Sequence, residues 1–256
     1  MTRDHGSVVE AQFGARASAY VTSAVHATGA DLDWIEARVA GAGLGEVLDL
    51  GCGGGHVAYR LAKHAARVTA CDLSPEMLAA VAQTGAERGL ANIATVEARA
   101  ERLPFAEASF DAVATRFSAH HWSDAGLGLR EAARVLKPGA PLLAVDVVAP
   151  GTPLFDTHLQ AVEVLRDPSH VRDYGAAEWL AMLDEAGLET RRLERHRLRM
   201  DFPVWIARMR TPETAAQAIR YLQDALPAEA RRHFAVEADG SFTLDTIWIE
   251  AVKPDL

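Results

Sequence analysis

From residue 46 onward, short apolar runs alternate with amphipathic stretches. Glu46-Val47-Leu48-Asp49-Leu50 reads as a buried strand stopped by the glycines of 51–55. Apolar Val57, Leu61 and Ala65 then recur every fourth residue and predict a helix over 56–65. A second strand is predicted over 67–71, followed by Ser74-Pro75-Glu76, a helix start with serine at the cap and proline in the first turn. Further strands are expected at 92–97, 110–115 and 141–149, with a helix over 124–136 and a turn at 137–139. None of these strand runs has a polar face, which implies a parallel sheet covered by helices on both sides. In such a doubly wound α/β domain the binding crevice lies outside the C-terminal ends of the first, second and fourth strands.

Three segments fall outside that pattern. The first 44 residues predict a helical cap, with Phe13, Ala17, Tyr20 and Ala24 on one face and Leu32, Ile35 and Val39 on another. Arg191 to Arg199 alternates arginine with Leu193 and Leu198, as a solvent-facing strand would. Residues 203–235 predict a helical lid inserted into a domain that spans 45–256, with Thr211-Pro212 and Leu226-Pro227 marking helix starts. The last strand, 242–251, is expected at an edge of the sheet and running antiparallel. That makes seven strands. No internal repeat or interdomain linker stands out.

Composition narrows the function classes. Apolar residues make up 49% of the 256 positions and charged residues 24%, so the chain is a folded domain and not a disordered one. No run approaches the roughly 18 apolar residues of a membrane span, and the polar start MTRDHGSVVE does not predict a secretory leader. A net charge of -9 argues against a basic face for nucleic acid. Cys52 and Cys71 are too few for a disulfide framework and form no C-x-x-C pair, which suits reduced thiols in a cytoplasmic protein. No His, Asp or Glu set has metal-ligand spacing.

The densest chemical signal is Asp49-Leu50-Gly51-Cys52-Gly53-Gly54-Gly55 followed, at the tip of the next strand, by Asp72. Glycines let the backbone approach a ligand, and Asp72 can accept both ribose hydroxyls of an adenosine. A dinucleotide site would want glycine where this chain has His56, and Asp49 would oppose a pyrophosphate while favouring an ammonium or sulfonium. An amino-acid-bearing adenosine is therefore expected.

VLDLGCGGG, CDLSPEML, ERLPFAEASFDAV and EAARVLKPGAPLL together resemble the class I S-adenosylmethionine-dependent methyltransferases. The resemblance is closest to the ubiquinone/menaquinone-biosynthesis branch, or methyltransferase type 11, and covers residues 46–149. It implies a Rossmann-like, mostly parallel seven-stranded sheet with S-adenosylmethionine as cofactor and S-adenosylhomocysteine as product. On this resemblance Asp49, Gly51, Cys52, Gly53 and Gly55 surround the methionine and ribose, and Asp72 holds the ribose. Leu73 and Met77 border the adenine. The family commonly has an acid before Ala100-Glu101-Arg102-Leu103-Pro104-Phe105; here it is Arg99, which has donors only. Backbone near Ala98 and Ala100, or else Glu101, must then read the adenine. Arg116, Phe117 and Tyr20 would close over the cofactor.

The stretch after the fourth strand, Thr115 to Trp122, would face the transferred methyl. His120 and His121 are either general bases or structural, with His121 ahead. Phe13, Trp122 and Trp205 are candidate walls for a partly apolar or aromatic small-molecule acceptor. Arg166, Asp167 and His170 either approach it or form a polar turn. The expected protein is a monomer or homodimer. A catalytically silent cofactor-binding protein and a nicotinamide-dependent oxidoreductase are the competing readings.

Overall fold

The computed structural model describes residues 4–14 and 29–255, the side chain of Phe13 excepted. Its strands are β1 (Leu44–Leu50), β2 (Ala65–Asp72), β3 (Ile93–Glu97), β4 (Ala112–Arg116), β5 (Pro141–Val147), β6 (Glu189–Met200) and β7 (Phe242–Val252). They form one sheet in the order β3-β2-β1-β4-β5-β7-β6. Strands β1 to β5 run parallel, and β7 is antiparallel to both of its neighbours, β5 and β6. The strand order reverses between β1 and β4, which opens the crevice of a doubly wound sheet there.

Helices α1 (His5–Gly14), α2 (Ala30–Val39), α3 (His56–Leu61), α4 (Pro75–Glu87) and α5 (Ala125–Val135) occupy the first half of the chain. Helices α6 (Pro153–Arg166), α7 (Ala176–Glu185), α8 (Phe202–Met209), α9 (Glu213–Asp224) and α10 (Ala228–His233) follow. The period-2 alternation of each strand sends its residues to two separate cores. Leu48, Val113 and Leu142 meet Leu129 and Ala132 of α5 and Trp179 and Leu183 of α7. Val47, Val68, Ala112 and Leu143 meet Leu32 and Ile35 of α2, Val57 and Leu61 of α3, and Leu78 and Val81 of α4.

Local chemistry sets the helix starts that matter for the crevice. Ser74 Oγ accepts the Met77 amide at 3.2 Å and Pro75 opens α4. Asp124 Oδ1 accepts the Leu127 amide at 2.8 Å at the start of α5. A third apolar cluster joins Leu159 and Val162 of α6, Phe202 and Trp205 of α8, Ile219 of α9, and Phe234 to Phe242 and Leu244 of β7. It stands beyond the end of β5, and Val147 belongs to it.

The last strand departs from expectation in one respect. It is antiparallel, but β7 lies inside the sheet, and the arginine-rich β6 is the edge. The reason is burial. Ile247, Ile249 and Ala251 of β7 are fully buried, whereas β6 exposes most of its arginines, and charged side chains are what an unpaired edge tolerates.

Candidate functional site: a nucleoside crevice joined to a second chamber

The crevice opens where β1, β2 and β4 end. At Gly51 the chain turns with φ +71°, and a Cβ there would stand 1.8 Å from Ser118 Oγ, so only glycine fits. The amides of Gly51 and Cys52 both donate to the Cys71 carbonyl, at 2.8 and 2.9 Å, which ties this turn to β2. Asp72 Oδ2 accepts the Gly53 amide at 2.8 Å and Oδ1 accepts the Ser74 amide at 3.0 Å, and burial raises this carboxyl. Asp49 is almost fully buried, and its Oδ2 accepts the Ala58 amide at 2.8 Å. Burial pushes Asp49 up to about 7, the Asp72 charge adds to the rise, and the Ala58 bond opposes it. A buried carboxyl poised this way favours a cationic ligand. Both thiols are also raised by burial, Cys71 to about 12, so neither is a nucleophile at neutral pH.

The same crevice, with a cavity volume of about 130 Å³, is lined farther out by Leu73, Met77, Ala98, Arg99, Ala100 and Glu101. Helix α1 closes it from above through His5, Gly6 and Val9. Arg99 does not act alone there. Its Nη2 lies 3.2 Å from Asp4 Oδ2 beside α1, so the arginine ties the cap to the sheet. On the β4 side the lining is Arg116, Phe117, Ser118, His121, Trp122 and Ser123. Arg116 is paired with Asp31.

A second chamber of about 280 Å³ adjoins the first, and Arg116, Phe117 and His121 line both. Trp205, Trp248, Leu198, Met200 and Leu244 give it apolar walls, while Glu163, Arg166, Asp167 and Asp173 make one side polar. His120 also lines it, with Nδ1 at 2.5 Å from Asp146 Oδ1. Asp146 is fixed in turn by the amides of Ala119 at 2.9 Å and Val147 at 2.8 Å. Burial works to lower the His120 pKa, but the Asp146 carboxylate overcomes it and lifts His120 to about 9. His121 behaves in the opposite way: burial, reinforced by the neighbouring His120 cation, lowers it to about 3. One histidine is an imidazolium at neutral pH and the other is neutral.

Residues 48–144 match the family model described as a methyltransferase domain. The chain is 47% identical over 199 residues to the uncharacterized protein YafE of Escherichia coli, across 78% of this chain and 96% of that one. It is 34% identical over 250 residues to the uncharacterized methyltransferase YcgJ of Bacillus subtilis, across 95% and 98%. The crystal structure of YcgJ superposes with a TM-score of 0.84, covering 89% of this chain and 99% of that one. The chain belongs to the class I methyltransferases, in the methyltransferase-11-like family. Similarity to the demethylmenaquinone methyltransferase of Chlorobaculum parvum, 38% identical, is confined to 43% of this chain.

The residues of the crevice fit this family's cofactor. Buried Asp49 suits an ammonium, Asp72 stands at the tip of β2 where a ribose is bound in such sheets, and Leu73 and Met77 offer an apolar border. Of the residues singled out in the sequence, Asp49, Gly51, Cys52, Gly53, Asp72, Leu73, Met77, Ala100, Glu101, Arg116, Phe117 and His121 line the first cavity. Gly55 does not: it caps α3 at φ +78°, where a Cβ would press on Tyr59 and Val81 at 2.9 Å. Trp122 is placed in the cofactor crevice and not in the second chamber, its ring packed over Gly128 and its Nε1 donating to Ser118 Oγ at 3.1 Å. Arg166 and Trp205 line the second chamber, whereas His170 sits behind its wall, with Nε2 at 3.0 Å from Gln160 Oε1. Tyr20 and the Phe13 side chain lie outside the described residues.

Sequence reasoning missed Asp146, Glu163, Asp173 and Trp248, together with His5, Gly6 and Val9 of the cap. Asp146 alone carried a signal, as the one charged residue within the run PLLAVDVVA.

Proposed function

We propose that this protein transfers the methyl group of S-adenosylmethionine, by direct displacement, to a small and partly aromatic acceptor held in the second chamber. The observation that carries the reading is the shared wall: Arg116, Phe117 and His121 face both cavities, so two ligands can meet there. S-adenosylmethionine supplies a methyl group already activated on a sulfonium, which leaves the protein the tasks of alignment, desolvation and proton handling.

Asp49 holds the amino group, Asp72 the ribose hydroxyls, and Leu73 with Met77 the adenine. Phe117 stands at the junction with φ +49°, a left-handed backbone that an aromatic residue adopts only when its surroundings impose it. His120 is the group placed to manage the acceptor. Asp146 takes its Nδ1, so Nε2 is the ring nitrogen left for a ligand. As an imidazolium it donates to an acceptor oxygen and stabilises the oxyanion form, the proton having gone to solvent. Neutral His121 shapes the junction beside it. The ordering of the two histidines expected from sequence is thereby reversed. Two thiols kept protonated by burial suit a cytoplasmic setting.

Calorimetric titration with S-adenosylhomocysteine, with NADH in parallel, tests the cofactor. Binding of the former alone supports the reading, and binding of NADH alone would replace it with an oxidoreductase. Product mass from a screen of phenolic acceptors then tests transfer. No methylated product from any acceptor, with the cofactor bound, would favour a catalytically silent binding protein.

A further inference from the structure

The polar side of the second chamber holds two carboxyls that its own surroundings leave unsatisfied. Asp167 and Asp173 are each only 1% exposed, and both line the chamber. Asp167 Oδ1 is occupied by Ser169, whose amide and hydroxyl donate at 2.9 and 2.6 Å, but Oδ2 has no hydrogen-bond partner among the described residues. Asp173 Oδ2 has none either, and burial raises this carboxyl well above the ordinary carboxylate range. Buried polar atoms in folded proteins are nearly always paired, so two orphans on one chamber wall are an anomaly that asks for a ligand.

The neighbouring histidines and Arg166 do not supply the missing bonds. His121 Nε2 is 4.0 Å from Asp167 Oδ2, and His170 Nε2 is 3.9 Å from Asp173 Oδ2, both beyond hydrogen-bond reach. His170 Nε2 is already engaged with Gln160, and burial together with the His120 charge lowers its pKa to about 2, so it is neutral. His120 is bound to Asp146 through Nδ1, and its Nε2 makes no hydrogen bond to either orphaned oxygen. Arg166 is committed to Glu163 at 3.3 Å and to the Trp205 carbonyl at 3.2 Å. Metal coordination does not account for the pair, because no group of three or more possible ligands clusters among the described residues.

We propose that Asp167 and Asp173 form a specificity site that receives hydrogen-bond donors, hydroxyl or ammonium, on the methyl acceptor. This rests on the assignment of the second chamber to the acceptor. The ring of the acceptor then lies among Phe117, Trp205 and Trp248, its reacting group faces His120, and its polar end meets the two carboxyls. An acceptor with an apolar end would leave both carboxyls desolvated and unpaired, so discrimination against it follows from the same geometry.

Three probes with a common ring and two-carbon arm test this: tyramine ends in an ammonium, tyrosol in a hydroxyl and 4-ethylphenol in a methyl group. Each is titrated into the protein saturated with S-adenosylhomocysteine. The expected result is that tyramine, tyrosol or both bind at least about tenfold more tightly than 4-ethylphenol, the worth of one hydrogen bond to a charged group. Which of the two leads identifies the donor. The preference of the leading probe over 4-ethylphenol should fall toward unity in Asp167→Asn and Asp173→Asn, each with S-adenosylhomocysteine affinity retained as the check on folding. Equal binding of the three probes, binding of none, or a preference unchanged in both variants would overturn the proposal. Failure of S-adenosylhomocysteine itself to bind the unaltered protein would instead overturn the cofactor reading, and the acceptor site with it.

Discussion

Replacing Asp146 by asparagine should convert a pH-dependent stabilisation into a pH-independent one. In the folded protein the Asp146 carboxylate raises His120 from its ordinary 6.5 to about 9, against the effect of burial. Each pH unit of such a shift is worth about 1.4 kcal/mol, so the pair contributes about 3 kcal/mol when the imidazole is charged. The sign follows from the direction of the shift. Because the folded pKa is above the unfolded one, the contribution is complete below pH 6.5 and disappears as the pH rises through 9. Asp146→Asn also weakens the bonds from the Ala119 and Val147 amides, but that loss does not depend on pH. Taking the difference between wild type and variant at two pH values removes it. Urea denaturation at pH 6 and pH 10 should therefore show the variant destabilised by about 3 kcal/mol more at the lower pH. The reasoning is refuted by an equal destabilisation at both, which would mean that Asp146 acts only through its backbone contacts and that His120 is not an imidazolium.

Three further outcomes are expected. Asp49 titrates near 7 in the free protein, and a bound ammonium requires its ionised form, so affinity for S-adenosylhomocysteine should fall about tenfold between pH 8 and pH 6. Calorimetry across that range checks this, and Asp49→Asn should flatten the profile. Asp72→Ala should weaken the same ligand by roughly 1.5–3 kcal/mol per lost bond, and an unchanged dissociation constant in a folded variant would remove Asp72 from the site. Gly51→Ala should lower the melting temperature, since a Cβ at φ +71° meets Ser118 Oγ at 1.8 Å; a melting temperature equal to wild type would show that the turn can reorganise.

What the sequence made legible was whatever depends on residues close together along the chain. The turn at Gly51, the carboxyl of Asp72 and the Ser74 cap lie within one β-α-β stretch, where spacing alone determines geometry. The parallel sheet covered by helices on both faces followed from the apolar strand runs for the same reason. The placing of β7 was less accessible, because its edge or interior position is decided by β6, which comes some 40 residues earlier in the chain and pairs with it only after three helices have intervened.

The second chamber was legible least, and its construction explains why. His120 meets Asp146 across 26 residues of sequence, and Asp167 meets His121 only after α6 has returned to the crevice. Adjacent histidines in a loop look alike in sequence, yet His120 is made cationic by Asp146 in direct hydrogen-bond contact, whereas His121, 4.0 Å from Asp167, is kept neutral by burial and the His120 charge. The same holds for Phe117. An aromatic residue carries no mark of a left-handed backbone, which costs about 1–2 kcal/mol outside glycine. That conformation is maintained here by the Phe117 amide donating to the Val145 carbonyl at 2.8 Å and by Arg116 over its ring. Strain held at Phe117, whose side chain lines both cavities, sits at their junction, and it is visible only once β4 and β5 have been paired.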